Sequence, residues 1–229
     1  MREAARLALD AVYGSDINPY AVAIARFRLT LAFLEKAGYR KLADSPELPL
    51  HLVVADSLLH NPQHAQANLG ELAGQTMGAW AGQEFSLEDE DAARDVLHRR
   101  FTAVVGNPPY ITPKDSALRK RYASMYPSCH MNYALTIPFA ERFFQLARSG
   151  GFVGQITANS FMKREFGKKL IESYLTTRNI DGVINTSGAY IPGHGTPTVI
   201  LFGKHQPPVA ATIRTVMGIK GEPATPDDP

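Results

Sequence analysis

Asn107-Pro108-Pro109-Tyr110 is the tetrapeptide of this chain with the clearest chemistry. Its two prolines remove two backbone donors and fix φ at both positions. Asn107 is pushed toward extended geometry by the proline that follows it. The product is a stiff loop that offers the Asn107 side-chain oxygen and the Pro108 carbonyl. Both oxygens accept hydrogen bonds, and one NH2 group can donate to both. Such a pair orients the lone pair of an exocyclic amine and stabilises positive charge that develops on the nitrogen. Tyr110 adds a flat face on which a planar base can stack. Two carboxylates stand at comparable places. Asp16 follows VYGS and suits a ribose diol, or equally a turn aspartate before Pro19. Asp56 follows LHLVVA and suits an exocyclic amine, or a cap on Ser57-Leu58-Leu59.

These residues take their meaning from the elements that carry them. Residues 2–10 place Ala and Leu at helical spacing. Asn18 as N-cap, Pro19 in the first turn and Gly38 as terminator frame a helix, with Val22, Ala25, Leu29, Ala32 and Phe33 on its apolar stripe. A segment from Ser86 to Arg100 reads as helical, with Ser86 as cap and Glu88-Asp89-Glu90-Asp91 in the first turn. Two more helices are expected over 132–148 and 162–177. Strands are expected over 12–17, 50–56, 101–106, 151–158, 181–186 and 196–203. Apolar strands alternating with helices imply parallel pairing with helices on both faces. The last two strands are joined by SGAYIPGHG, too short for a helical crossover, so they run antiparallel. Ligands of open α/β sheets bind beyond the carboxyl ends of the strands, where Asp16, Asp56 and Asn107 all fall.

Composition sets outer bounds. The 229 residues suit one domain with a small appendage, and 45% hydrophobic residues suit a globular chain. No apolar run is long enough to span a membrane. The N-terminus lacks a signal-peptide core. Cys129 is the single cysteine, which excludes an internal disulfide and a Cys-rich zinc site. A cytoplasmic protein without a metal ligand set is therefore expected. The net charge of +2 neither favours nor excludes nucleic acid.

Together, SDINP, VVAD, VVGNPPYI, SGGFVGQITANSFM, IDGVINTSG and GHGTPTVILFG resemble S-adenosyl-L-methionine-dependent DNA adenine-N6 methyltransferases. The likeness covers about residues 1–204 and is closest to the large methyltransferases of bacterial phage-exclusion (BREX) systems; restriction-modification enzymes share the pattern. It implies a Rossmann-like class I methyltransferase sheet, mostly parallel with an antiparallel terminal hairpin. It implies that Asn107 and Pro108 hold the N6 amine of a flipped adenine, that Pro109 stiffens the loop, and that Tyr110 stacks on the base. Asp16 would bind the cofactor ribose and Asp56 its adenine. Double-stranded DNA is the implied partner, with other defence-system proteins beside it. Two basic clusters, Lys114, Arg119, Lys120 and Arg121 with Tyr122 and Tyr126 interleaved, and Lys163, Arg164, Lys168 and Lys169, suit a DNA backbone or a solvated helix face. His194, in GHG, carries no readable role.

The sequence departs from the family in one respect. Its members carry a first strand ending in a glycine-containing loop near the methionine part of the cofactor. No such strand precedes Asp16, so the sheet is expected to lack its first strand and the isolated chain to bind cofactor weakly. Residues 1–204 are read as a partial catalytic domain with an insertion at 57–100, and 205–229 as a following segment or linker. Methylation of protein glutamine or RNA, and an inactive fragment or assembly module, are the competing readings.

Overall fold

The computed structural model describes residues 1–62, 90–187 and 196–218. The chain divides into two compact units, Met1–Arg99 and Arg100–Pro229. The Ser86 cap, Glu88, Asp89 and His194 lie outside the described residues.

In the first unit, α1 (Arg2–Asp10) leads into β1 (Tyr13–Asp16), α2 (Pro19–Ala37) and β2 (His51–Val54), and α3 (Glu90–Leu97) follows. Helix α2 starts and stops where its sequence dictates. The Asn18 side chain accepts from the Tyr20 amide at 2.9 Å, Pro19 occupies the first turn, and Gly38 closes the helix at φ 74°. The cap stabilises the helix by about 1 kcal/mol. Val22 and Phe33 of the expected stripe are buried, but Ala32 is exposed. Leu9, Phe33 and Ala37 form the core between α1 and α2. Strands β1 and β2 pair in parallel, Tyr13 with His51 through Asp16 with Val54. Val53 and Ala55 pack there against Ala93, Val96 and Leu97 of α3.

The second unit holds β3 (Phe101–Gly106), α4 (Ser116–Met125), α5 (Thr136–Leu146), β4 (Ala147–Ala158), β5 (Asn179–Asn185), β6 (Thr198–Lys204) and β7 (Arg214–Met217). Its strands lie in the order β3-β4-β6-β5-β7. β3 pairs with β4 in parallel, and β5 with β7 in parallel. β6 runs antiparallel to β4, and also to β5 as the short SGAYIPGHG connection requires. Helix α5 packs on β3 and β4, with Ile137, Ala140 and Phe144 almost wholly buried.

Several expectations are corrected. Strands β1 and β2 form a two-stranded sheet, and the other five strands form a second one. The helix expected over 132–148 spans Thr136–Leu146, because β4 already begins at Ala147 and turns at Gly150, φ 71°. The helix expected over 162–177 runs from Glu165 to Thr177, 3-10 in its first and last turns and π-helical over Leu170–Tyr174, with a break at Lys163 and Arg164 after the turn Asn159–Met162. At the start of this run the backbone packs closely, and a Cβ on Gly167 would lie 1.9 Å from the Phe161 carbonyl oxygen. Helix α4 carries the first basic cluster, which the sequence offers as a solvated helix face without giving the helix its limits; Asp115 caps it by accepting from the Ala117 and Leu118 amides at 2.7 and 3.2 Å. The seventh strand, β7, falls in the stretch that the sequence reads as a following segment. Helices were expected on both faces, yet Val105 and Phe152 of the β3–β4 pair are exposed.

Candidate active site

Within the first unit, parallel pairing sets the carboxyl ends of β1 and β2 side by side. The Ala55 amide donates to the Asp16 carbonyl at 3.0 Å, and the Ser15 and Ser57 hydroxyls meet at 2.5 Å. Asp16 is exposed, and its Oδ1 accepts from the Asn18 amide at 2.7 Å. A shallow hollow beside it is lined by Gly14, Ser15, Asp16, Ala21, Val22 and Ala25. Asp56, half-buried, accepts from the Leu58 amide at 2.9 Å and the Leu59 amide at 3.4 Å. Both carboxylates therefore do the turn work foreseen for them, and both stand at strand ends.

Asn107 to Tyr110 follow β3 in the second unit. Asn107 and Pro109 are exposed, Pro108 is buried and Tyr110 is half-buried. The Tyr110 hydroxyl donates to Asn107 Oδ1 at 2.6 Å. That bond fixes the amide with its oxygen held in the loop and leaves the second lone pair of the oxygen for another donor. Burial raises the Tyr110 phenol above its ordinary pKa, against the opposing effect of the Asn107 bond. The hydroxyl thus remains a donor throughout the neutral range. The loop exit is tied down by the Leu135 amide, which donates to the Ile111 carbonyl at 2.8 Å.

The basic clusters also belong to the second unit. Lys163, Arg164, Lys168 and Lys169 are all exposed, and the first three line a groove with Phe161, Met162 and Ile171. Lys168 pairs with Glu165 at 3.7 Å. In the other cluster, Lys114 and Lys120 are exposed, and Arg119 and Arg121 are half-buried. Arg119 donates to Asn132 Oδ1 at 3.1 Å. The interleaved Tyr122 and Tyr126 are core residues, 4% and 0% exposed, so they offer no ring to a base. Phe161 is likewise buried.

Sequence reading missed a polar row at the carboxyl ends of β4 and β5. Asn159 Nδ2 donates to the Ser187 hydroxyl at 2.5 Å, and that hydroxyl donates to Asn185 Oδ1 at 2.5 Å. The available signal was position: Asn159 directly follows the strand GFVGQITA.

The single thiol plays no part in this site. Burial pushes Cys129 far above the usual thiol range, the Glu141 carboxylate adds to this, and the Tyr133 hydrogen bond and Lys169 oppose it. The thiolate is the reactive species. Folded protein at pH 8 should therefore resist a thiol-alkylating reagent for hours and take up one equivalent once denatured. Fast labelling of folded protein would contradict the placement.

A strand-end Asn-Pro-Pro-Tyr loop on a mixed α/β sheet is the arrangement of the amino-group methyltransferase class. The chain belongs to the Eco57I restriction-modification methylase family, whose profile matches residues 10–191. It is 49% identical over 236 residues to the adenine-specific methyltransferase PglX of Streptomyces coelicolor, covering 97% of this chain and 20% of that protein. Among solved structures, it resembles the DrdV–DNA complex with a TM-score of 0.62 at 10% identity, covering 92% of this chain and 21% of that one. It also resembles a nuclease-deletion mutant of the Type ISP restriction-modification enzyme LlaGI with a DNA substrate mimic, with a TM-score of 0.56 at 15% identity over 92% of this chain and 18% of that one. At those identities the likeness is one of fold. The chain spans about a fifth of the length of the Streptomyces relative. Membership in a methylase family implies S-adenosyl-L-methionine as the methyl donor.

Proposed function

We propose that this chain supplies the core of an enzyme that methylates N6 of adenine in DNA. The observation that carries this reading is the Asn107-to-Tyr110 loop at the end of β3, with its amide oriented by the Tyr110 hydroxyl. The 49% identity to an adenine-specific methyltransferase supports adenine as the base that is methylated. DNA as its carrier, phage exclusion as the setting, other defence proteins as partners and the cytoplasm as the place complete the proposal.

The residues divide the work simply. Adenine N6 is paired inside a duplex, so the base must be flipped out before it can react. Asn107 Oδ1 and the Pro108 carbonyl accept hydrogen bonds from the N6 amine, which donates one to each, and turn the nitrogen lone pair outward. As the new N–C bond formed and the sulfonium C–S bond of the donor broke, the nitrogen would gain positive charge, which the same two oxygens would stabilise until one N6 proton left to solvent. Pro109 keeps the loop from relaxing, and the Tyr110 ring covers the base. The methyl donor is an activated sulfonium, so positioning and electrostatics can carry the reaction without a strong base. The exposed basic residues of both clusters, Lys163, Arg164, Lys168, Lys169, Lys114 and Lys120 foremost, are suited to DNA phosphates.

The first unit fits the cofactor. An exposed carboxylate beside a hollow with a glycine floor suits a ribose diol, and a Cβ on Gly14 would lie 2.9 Å from Leu52 Cδ2. Asp16 would hold the ribose and Asp56 the adenine amine. Replacing Asp16 by Ala in the protein that carries this chain should weaken cofactor binding about 10- to 100-fold, the loss of one or two charged hydrogen bonds. Replacing Asp56 by Ala should in addition lower stability by about 1 kcal/mol through the lost cap. Calorimetric titration and thermal melts separate the two; unchanged binding in both variants would remove the cofactor assignment.

The deciding experiment supplies labelled S-adenosyl-L-methionine together with DNA, RNA and protein substrates. Label in N6-methyladenine of DNA is expected. Label in protein or RNA, with none in DNA, would sink the reading.

A further inference from the structure

A buried amide stands next to the root of the Asn-Pro-Pro-Tyr loop. Gln155, 2% exposed, sits on β4 in register with Gly106, the residue before Asn107. Neither its Oε1 nor its Nε2 finds a hydrogen-bond partner among the described residues. Leaving such a group unsatisfied costs about 1–3 kcal/mol, and native structures rarely tolerate it. Glutamine in a strand core thus calls for a reason beyond packing.

The surroundings supply one. Strand side chains alternate, so Gln155 shares a face with Thr157. Thr157 Oγ1 meets Thr136 Oγ1 of α5 at 2.7 Å, and both threonines are buried. Leu135, just before Thr136, holds the loop exit through the Ile111 carbonyl. On the same side, a Cβ on Gly106 would strike Phe143 of α5 at 2.7 Å, so α5 also covers the loop root. Near the start of α5 thus lie the Leu135–Ile111 bond and the Thr136–Thr157 pair, and on the same face of β4 as Thr157 lies the unbonded Gln155 amide, beside the loop root. The loop itself is poor in donors, because Pro108 and Pro109 have none. Its carbonyls need donors from elsewhere, and Pro108 is buried.

We propose that Gln155 is a positioning residue for the Asn107-to-Tyr110 loop, its amide completing its hydrogen bonds through buried water to the loop backbone. A buried water takes two to four polar partners and can link groups that do not touch. The link would set the direction of the Pro108 carbonyl, which under the methyl-transfer reading receives the substrate amine. The proposal takes its meaning from that reading, and its test does not depend on it.

The test is Gln155→Met, which keeps length and removes both polar atoms. Hydrogen exchange at the Leu135 amide reports the bond to Ile111. We expect exchange there at least ten-fold faster, with a melting temperature equal to or above that of the parent. If Gln155 is only a tolerated orphan, Gln155→Met raises stability and leaves exchange at Leu135 unchanged, and the proposal is overturned. Should this variant not fold, Gln155→Asn withdraws the amide by one methylene and should show the same faster exchange. Failure of both to fold would make the amide a requirement of the whole sheet and would also overturn the proposal. In a parent that methylates DNA, Gln155→Met should lower kcat about ten-fold and leave KM for DNA unchanged. A parent that transfers no methyl to DNA, with altered exchange at Leu135, would remove the methyl-transfer reading and leave Gln155 in its role.

Discussion

Replacing Asn107 by Ala in the protein that carries this chain should slow methyl transfer to adenine by roughly 10²- to 10³-fold. That is the usual effect of removing one preorganised partner of a charge that develops in the transition state. The loss should fall on kcat more than on KM, because the amide oxygen gains most when the nitrogen becomes positive. Stability should change by less than about 0.5 kcal/mol, since Asn107 is exposed and its side chain accepts from the nearby Tyr110 hydroxyl. Tyr110→Phe isolates that bond. It keeps the ring and frees the amide to rotate, so a loss of about ten-fold or less is expected. Tyr110→Ala removes the ring too, and stacking is worth about 1–3 kcal/mol per base. Steady-state kinetics on one DNA substrate ranks the three. Methylation at the parent rate in Asn107→Ala would falsify the role of the amide.

The largest effect on stability is expected at Gly167. A Cβ there would lie 1.9 Å from the Phe161 carbonyl oxygen and 2.6 Å from the Phe161 carbonyl carbon. Those are backbone atoms, so relief requires moving the chain. Gly167→Ala should cost at least about 3 kcal/mol, the upper range of overpacking, and lower the melting temperature by roughly 6–12 °C. The same substitution at Gly38 is the control. Nothing lies within 4 Å of a Cβ there, but φ is 74°. Only the left-handed conformation is penalised, at about 1 kcal/mol. Equal losses at both positions would mean that the close approach at Gly167 relaxes freely. Because Lys163, Arg164 and Lys168 flank this contact, Gly167→Ala should also distort the basic groove.

What could be read from the sequence was what local chemistry determines. The Asn18, Pro19 and Gly38 frame gave α2 its limits because each residue acts on its own backbone. The antiparallel course of β5 and β6 followed from a connection too short for anything else. The Asn-Pro-Pro-Tyr loop was legible because two prolines leave the chain little choice. What failed depended on distant packing. The segment 162–177 is helical from Glu165 to Thr177 as its composition suggests, but its π-helical turn at Leu170–Tyr174 has no local signal. Tyr122 and Tyr126 looked available to a base by their spacing among basic residues, and tertiary burial removes them. Gln155 reads as an ordinary interruption in an apolar strand; only the register with Gly106 gives it a neighbourhood. The polar row of Asn159, Ser187 and Asn185 joins three positions that sequence keeps apart.

The place of β6 has a consequence for how the chain acquires its shape. β4 and β5 never touch as strands; each pairs instead with β6, which is made after both. Until Thr198–Lys204 has been synthesised, β4 and β5 each expose a row of unsatisfied backbone groups. Folding of this half must therefore wait for a latecomer that slides between two waiting neighbours, a high-contact-order event and a slow one. Charge or proline introduced into β6 would act less by weakening the finished sheet than by prolonging that exposure.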